Sequence, residues 1–281
     1  MQYAWFPGCK APFHLPEYLS SSRAALRALG MAVRDVEFNC CGYPIRHHDA
    51  EAALVSAARN FALAQNAGLD ILTPCKCCFG ALKHALHVFQ RSPVLLDRAN
   101  ALLAEEGLAF SGTISVDHIL SALKREIGPE AIRRAVTRPL SGLKVAAHYG
   151  CHALRPSAVT GFDDPGSPRV FEDLLLALGA EPVAWPLRLE CCGAPLRGRN
   201  DRVSDALMHK KIQSVRESGA DVLCTACTYC QTQFRDEQRM LPGRRVPAVL
   251  FTQLLGLALG CPPESLGLDA NRERWFLDQM G

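Results

Sequence analysis

Thirteen cysteines punctuate this 281-residue chain, and ten of them form a pattern that occurs twice. The first copy is Cys9, the adjacent pair Cys40 and Cys41, and Cys75 with Cys78. The second is Cys151, the pair Cys191 and Cys192, and Cys227 with Cys230. In both, one Cys is followed by Cys-Cys-Gly and then by Cys-x-x-Cys. The intervening stretches are 30 and 33 residues in the first copy, and 39 and 34 in the second. Thiolates are ligands for soft metals. A Cys-x-x-Cys alone can hold zinc, hold an iron–sulfur cluster or act as a redox dithiol. Structural zinc takes four ligands and an ordinary cubane four thiolates, so a fifth thiol per copy favours an iron–sulfur centre. Zinc in one copy is the plainer alternative, and a redox dithiol is the third. Two pentads in register point to two metal clusters, each held by one half of a duplicated fold.

Composition bounds the rest. Hydrophobic residues make up 48% of the chain and charged residues 21%, enough for a good core. The net charge of +3, without a basic run interleaved with aromatics, argues against nucleic acid. The stretch 246–261 is apolar but interrupted by Pro247, Thr252 and Gln253, and it is too short to span a bilayer. The chain opens on the strand-like Tyr3-Ala4-Trp5-Phe6, not on a basic-then-apolar leader, so a soluble cytoplasmic protein is expected. Disulfides belong to oxidising compartments and mostly to small, core-poor chains, which disfavours a stapled scaffold here.

The elements that must position these thiols repeat as well. Each copy starts with a strand-like run ending in Gly-Cys, at Gly8-Cys9 and Gly150-Cys151. A helical pattern then ends in Ala-Leu-Gly, at Gly30 and Gly179, and a strand-like segment leads to Cys-Cys-Gly. A second helix, around 50–66 and around 203–217, ends at Gly68 and Gly219. Buried strands beginning Asp70-Ile71-Leu72 and Asp221-Val222-Leu223 run into the Cys-x-x-Cys. Strand–helix alternation of this kind predicts an α/β fold: two duplicated parallel-sheet units related by a pseudo-two-fold, with helical connecting segments. The cysteines then lie beyond the carboxyl ends of strands, where sites form in such sheets. The following helices point their positive N-termini at the same place. The expected division is a first unit over 1–90, a helical connector over 91–140, and a second unit with C-terminal helices over 141–281. Within the connector, 97–106 and 116–126 carry apolar residues at helical spacing, and Pro129 after Gly128 can start another turn. The tail segment 251–259 reads as a buried helix.

In these residues the chain resembles the B subunit of heterodisulfide reductase, a family with two cysteine-rich CCG domains. The resemblance spans nearly the full length. Carrying it are Phe6-Pro7-Gly8-Cys9, Ala57-Ala58-Arg59-Asn60, Gly68-Leu69-Asp70-Ile71, His148-Tyr149-Gly150-Cys151-His152, Arg155-Pro156-Ser157, Gly161-Phe162-Asp163, Cys227-Thr228-Tyr229-Cys230-Gln231 and the run 252–258. It implies two noncubane [4Fe-4S] clusters. One is bound by Cys9, Cys40, Cys41, Cys75 and Cys78, the other by Cys151, Cys191, Cys192, Cys227 and Cys230. It implies a disulfide cleaved between the clusters, a ferredoxin-like C subunit and a flavin-bearing A subunit. Cys41 and Cys192 each adjoin another ligand, which suits a bridging, catalytic role. Where the methanogen-type family has a glycine-rich run after the second Cys-Cys-Gly, this chain has Ala194-Pro195-Leu196-Arg197-Gly198. That departure, with Arg outnumbering Lys 24 to 7, favours the sulfur-oxidising version of the complex, acting on a sulfur carried by a lipoyl or other thiol-bearing protein. The competing reading is an electron-transfer CCG subunit of a lactate- or glycolate-oxidation type, without a substrate site of its own.

Three cysteines remain, Cys77, Cys224 and Cys261, and all three read as core packing. His152, and less so His47 and His48, are candidates for tuning a cluster, against the plainer reading of surface or structural histidines. Lys210-Lys211 and Arg244-Arg245 read as solvated faces. An active cavity is expected between the halves, flanked by Tyr43-Pro44 and Ala194-Pro195.

Overall fold

The computed structural model describes residues 2–240, 245–269 and 271. It contains two four-stranded sheets, every pairing in them parallel. The first is built from β1 (Gln2–Trp5), β2 (Ala32–Asp35), β3 (Ile71–Thr73) and β4 (Val116–His118), in the order β2-β1-β3-β4. The second is built from β5 (Lys144–Ala147), β6 (Glu181–Pro182), β7 (Val222–Thr225) and β8 (Ala248–Leu250), in the order β6-β5-β7-β8. One topology occurs twice. The central strands β3 and β7 are buried along their whole length, as their apolar runs require. In each sheet the strand order reverses between the two middle strands, which opens a crevice at their carboxyl ends.

The helices before the central strands also match. Asp49 caps the helix Ala50–Asn66, its carboxylate accepting from Ala52 N at 2.8 Å. Asn200 caps Asp201–Glu217, its carboxamide oxygen accepting from Val203 N at 3.1 Å. Both are ordinary N-caps, and they fix where the chain turns after Cys-Cys-Gly.

The fourth strand of each sheet differs from the sequence expectation. The connector read as helical supplies β4, which pairs with β3 from Ile71–Val116 to Thr73–His118. The helical apolar spacing over 116–126 runs across a strand–helix junction, because a short helix, Ile119–Ala122, follows β4 directly. Polar Asp117 and His118 disguised a strand in which all three residues are buried. Asp117 is satisfied by Arg125 at 2.6 Å, and His118 by two backbone carbonyls. The tail helix Phe251–Ala258 is present as expected, but β8 precedes it.

The halves interlock. Helix Pro16–Ala28 of the first packs on Phe251–Ala258 of the second, where Ser21 Oγ and Thr252 Oγ1 lie 2.7 Å apart. Glu17 pairs with Arg235 across the same seam. One apolar cluster runs through both sheets, from Trp5 and Phe61 to Phe171 and Phe234.

Candidate metal centres at the seam

Each Cys-Cys-Gly is a tight turn whose glycine is demanded twice over. Gly42 has φ +80°, and a Cβ there would lie 2.7 Å from the Ala53 carbonyl oxygen. Gly193 has φ +87°, and its Cβ would lie 2.6 Å from the Ser204 oxygen. The turn therefore sits against the start of the next helix with no room for a side chain. The strand leading into the first pair is tied by Asn60, fully buried, which donates to Cys40 O at 3.0 Å and accepts from Asn39 N at 2.9 Å. Ser56 adds a hydroxyl bond to Cys40 O at 2.6 Å.

The turns bring the thiols together. In the first half Cys9 Sγ is 3.6 Å from Cys40 Sγ, and Cys41 lies beside Cys40 and Cys78. In the second half Cys192 Sγ is 3.4 Å from Cys230 Sγ, and Cys151 lies beside Cys191. All thirteen cysteines are free thiols. The separations exceed the ~2.05 Å of a disulfide and fall near the ~3.8 Å edge of a sulfur tetrahedron around a metal at about 2.3 Å. The thiols of Cys41 and Cys9 push Cys40 down to about 3, and those of Cys151 and Cys192 push Cys191 down to about 2. The second members move the other way: Cys40 raises Cys41, and Cys191 raises Cys192 to about 12.

The Cys-x-x-Cys pairs open helices Lys76–Arg91 and Thr228–Arg235, so their thiols lie in the field of helix N-termini. These two segments meet. Cys75 Sγ is 3.9 Å from Cys227 Sγ, and Cys77 Sγ is 3.6 Å from the same sulfur. The three buried thiols join the two pentads into one row across the seam. Fully buried His118 locks that meeting point. Its Nε2 faces Pro74 O at 2.9 Å and Ala226 O at 3.1 Å, the carbonyls just before Cys75 and Cys227. Burial lowers its pKa to about 3, so the ring is neutral and Nε2–H is shared by the two carbonyls.

The structure brings the ten expected thiols together in two groups. Cys77 is buried in the core as expected, and it also lies between the groups, 3.6 Å from Cys227 Sγ and 3.7 Å from His152 Nδ1. Cys224 is core, in β7, and Cys261 is half-buried. His152 does approach the thiols, with Nδ1 3.5 Å from Cys151 Sγ. His48 instead meets Arg199 at 2.9 Å on the exposed side. Lys211 is not on a solvated face. It is 1% exposed, with its ammonium on Leu187 O and Glu190 O and over the Trp185 ring. A polar side chain on the buried stripe of an amphipathic helix was the available signal. Arg244 lies outside the described residues, and Arg245 is exposed. His148 stands out in the sequence as a flank of Cys151, together with His152, whereas nothing in the local spacing of Lys76 and His118 sets them apart.

A cavity of about 580 Å³ opens beside the first pentad. Cys41, Tyr43, Arg46 and His84 border it from the first half, and His152 and Arg155 from the second. Apolar Leu54 and Val88 complete its wall. Arg46 stacks over Tyr43 at 4.2 Å, and Tyr43 meets His152 edge-on at 4.8 Å. The cavity expected between the halves is thus bordered by Tyr43, but Ala194, Pro195 and Arg197 do not line it. Arg197 pairs with Asp205 at 2.6 Å and with Asp201 and Glu237, because the helix that follows it, Asp201–Glu217, supplies the nearest charges.

The comparisons with known proteins agree with this arrangement. A family model described as the CCG cysteine-rich domain matches residues 3–83 and 145–235. The chain is 33% identical over 276 residues to the B subunit of the ferredoxin/F(420)H(2)-dependent CoB-CoM heterodisulfide reductase of Methanosarcina acetivorans, covering 95% of this chain and 92% of that protein. It is 35% identical to the 8-methylmenaquinol:fumarate reductase membrane anchor subunit of Wolinella succinogenes, covering 96% of each. A crystal structure of a hypothetical protein from Helicobacter pylori shares the fold, with a TM-score of 0.75 at 17% identity. That match covers 96% of this chain and 51% of that chain.

Proposed function

The chain belongs to the cysteine-rich CCG family, in the branch similar to the B subunit of heterodisulfide reductase, and from that premise we propose that it oxidises or reduces a sulfur group at two noncubane [4Fe-4S] clusters. It is an iron–sulfur redox protein; the sulfur substrate, the number of clusters and their type are our reading. The residues present fit such groups. Each half offers five thiols, too many for one zinc. A narrow void lies among Cys9, Cys41, Cys75 and Cys78, where a Cβ on Gly8 would come within 2.8 Å of Cys78 Sγ. Cys9, Cys40, Cys41, Cys75 and Cys78 would hold the first group, and Cys151, Cys191, Cys192, Cys227 and Cys230 the second. When bound, such a cluster supplies one-electron redox chemistry and a soft iron site for sulfur.

The observation that carries the reading is the approach of Cys75 and Cys227 to 3.9 Å, which places two ligand sets side by side. Making or cleaving a disulfide involves two sulfurs, and holding reactants in one geometry supplies much of catalysis. The neighbouring cavity gives such a substrate access to Cys41. Arg46 and Arg155 there suit an anionic end, and Leu54 and Val88 suit an apolar arm. A lipoyl- or thiol-bearing protein in sulfur oxidation fits that lining, with a ferredoxin-like C subunit and a flavin-bearing A subunit as electron partners. Cys41 and Cys192 are the catalytic candidates.

One observation favours a second reading. The relative named as a membrane anchor subunit of a menaquinol:fumarate reductase matches as closely as the heterodisulfide reductases do. No helix among the described residues is long and apolar enough to cross a membrane. On this reading the chain passes electrons to or from a membrane partner without handling a sulfur substrate. Metal analysis of anaerobically purified protein, followed by EPR during thiol titration, decides. About eight irons per chain with thiol-dependent spectra support the sulfur chemistry. Eight irons with spectra indifferent to every thiol tried support electron transfer. About four irons and one zinc would mean a mixed protein, and no iron would sink both readings.

A further inference from the structure

The two halves share one plan but are not charged alike. The eighteenth residue after the Cys-Cys-Gly glycine is Asn60 in the first half and Lys211 in the second. Each projects from the helix following the turn and tethers the chain that leads into the cysteine pair. Asn60 does so with a neutral amide, to Cys40 O at 3.0 Å. Lys211 does so with an ammonium, to Leu187 O and to Glu190 O at 3.0 Å.

The residues after the first Cys of each Cys-x-x-Cys are Lys76 and Thr228, and they reach across the seam. Thr228 walls the void among the first half's thiols. Lys76 enters the second half, where Nζ donates to His148 O at 3.2 Å and lies 4.7 Å from the Phe171 ring and 5.3 Å from the Tyr149 ring. A third equivalent pair stands three residues before Cys9 and Cys151. It is Phe6 in the first half and His148 in the second, and His148 Nε2 lies 3.3 Å from Cys230 Sγ. At all three positions the more polar or the cationic side chain ends among the residues of the second half, Lys76 by reaching across the seam.

We propose that Lys76, Lys211 and His148 make the second thiol pentad the higher-potential of the two centres, so that the second half is the electron sink of the protein. The proposal rests on the reading that each pentad holds an iron–sulfur cluster. Reduction adds negative charge, and cluster potential responds to net charge, hydrogen bonds to sulfur and solvent exposure. Lys76 is 2% and Lys211 1% exposed, and neither pairs with a carboxylate among the described residues. Their fields therefore reach the pentad with little screening by water. Glu172, also nearby, is offset by Arg188 at 2.5 Å. The cations beside the first pentad are Lys10, over Tyr229, and Arg46 and Arg155 on the cavity bordered by Cys41; all three are half-buried or exposed, so solvent screens them. An electron entering beside Cys41 is drawn across the seam toward Lys76 and Lys211.

The test is a redox titration of the full-length, anaerobically purified chain. Cys41→Ser and Cys192→Ser assign each wave to its half. The second half's wave should lie at the higher potential. Lys76→Gln and Lys211→Gln keep a donor and remove the charge. Each should shift the second wave down by at least about a tenfold change in the ratio of reduced to oxidised centre, about 59 mV for a one-electron couple, while leaving the first wave in place. Iron-loaded variants with unmoved or equally moved waves overturn the proposal alone. A protein that binds no iron overturns the underlying reading and the proposal with it. If a lysine variant sheds its iron, the unsubstituted protein still decides, since a higher-potential first half is fatal to the idea.

Discussion

Gly193→Ala isolates what the glycine of the second Cys-Cys-Gly contributes, because Gly198 offers an internal control five residues away. Both have positive φ, +87° and +80°. Alanine in that left-handed region costs about 1–2 kcal/mol. At Gly198 nothing lies within 4 Å of the added methyl, so Gly198→Ala should cost that and no more. At Gly193 the methyl would lie 2.6 Å from the Ser204 carbonyl oxygen and 3.2 Å from Ser204 Cα, both backbone atoms at the start of helix Asp201–Glu217. Turn and helix must then separate, which adds roughly 1–3 kcal/mol of overpacking. A midpoint shift of roughly 2–4 °C per kcal/mol makes the difference between the variants readable by thermal unfolding. The separation also moves Cys191 and Cys192 away from Cys230, so Gly193→Ala should lose iron from the second half while the first keeps its own. Equal destabilisation by the two substitutions, or equal iron loss from both halves, would refute this account of the motif.

Three further outcomes are expected. Cys41→Ser and Cys192→Ser should each strip iron from their own half first, while Cys261→Ser leaves iron content unchanged; iron analysis and half-specific EPR would expose an error as equal losses from all three. Cys77→Ser should leave the iron content intact, since two full pentads exist without it, and an iron loss matching that of Cys75→Ser would make Cys77 a ligand. His118→Phe keeps a buried ring but orphans Ala226 O, whereas Pro74 O retains the Tyr18 hydroxyl; the cost should be about 1–3 kcal/mol in unfolding, and iron should be lost from both halves, an outcome that one-sided loss would contradict.

Much of this arrangement was legible because the chain states it twice. Gly-Cys after a strand, Cys-Cys-Gly before a capped helix and Cys-x-x-Cys after a buried strand recur in order, and a parallel topology leaves them one place to meet. The fourth strands were not legible. Three residues are too few to show a period, and Asp117 and His118 carry polar side chains whose partners, Arg125 and the carbonyls before two cysteines, are fixed only by the fold. Buried Lys76 and Lys211 were hidden for a related reason. A lysine beside a cysteine or another lysine reads as exposed until its ammonium is seen on backbone carbonyls and aromatic faces. The cavity was misplaced by symmetry. Expecting equal walls put Ala194 and Pro195 on it, but the second half contributes His152 and Arg155 instead.

The exchange across the seam bears on why the two copies remain in one chain. Thr228 and Tyr229 of the second half wall the void of the first pentad, and Lys76 of the first half lies against His148 beside the second. His118 holds the segments before Cys75 and Cys227 with one ring, so displacing either displaces the other. A single half cut from the chain would therefore lack part of its own thiol environment, even with all five cysteines present. Because each side is completed by the other, one side can gain buried charge while its counterpart stays neutral, with no change in the shared ligand pattern. Unequal substitution at Asn60/Lys211 and Thr228/Lys76 is the asymmetry on which the proposed donor and acceptor roles rest.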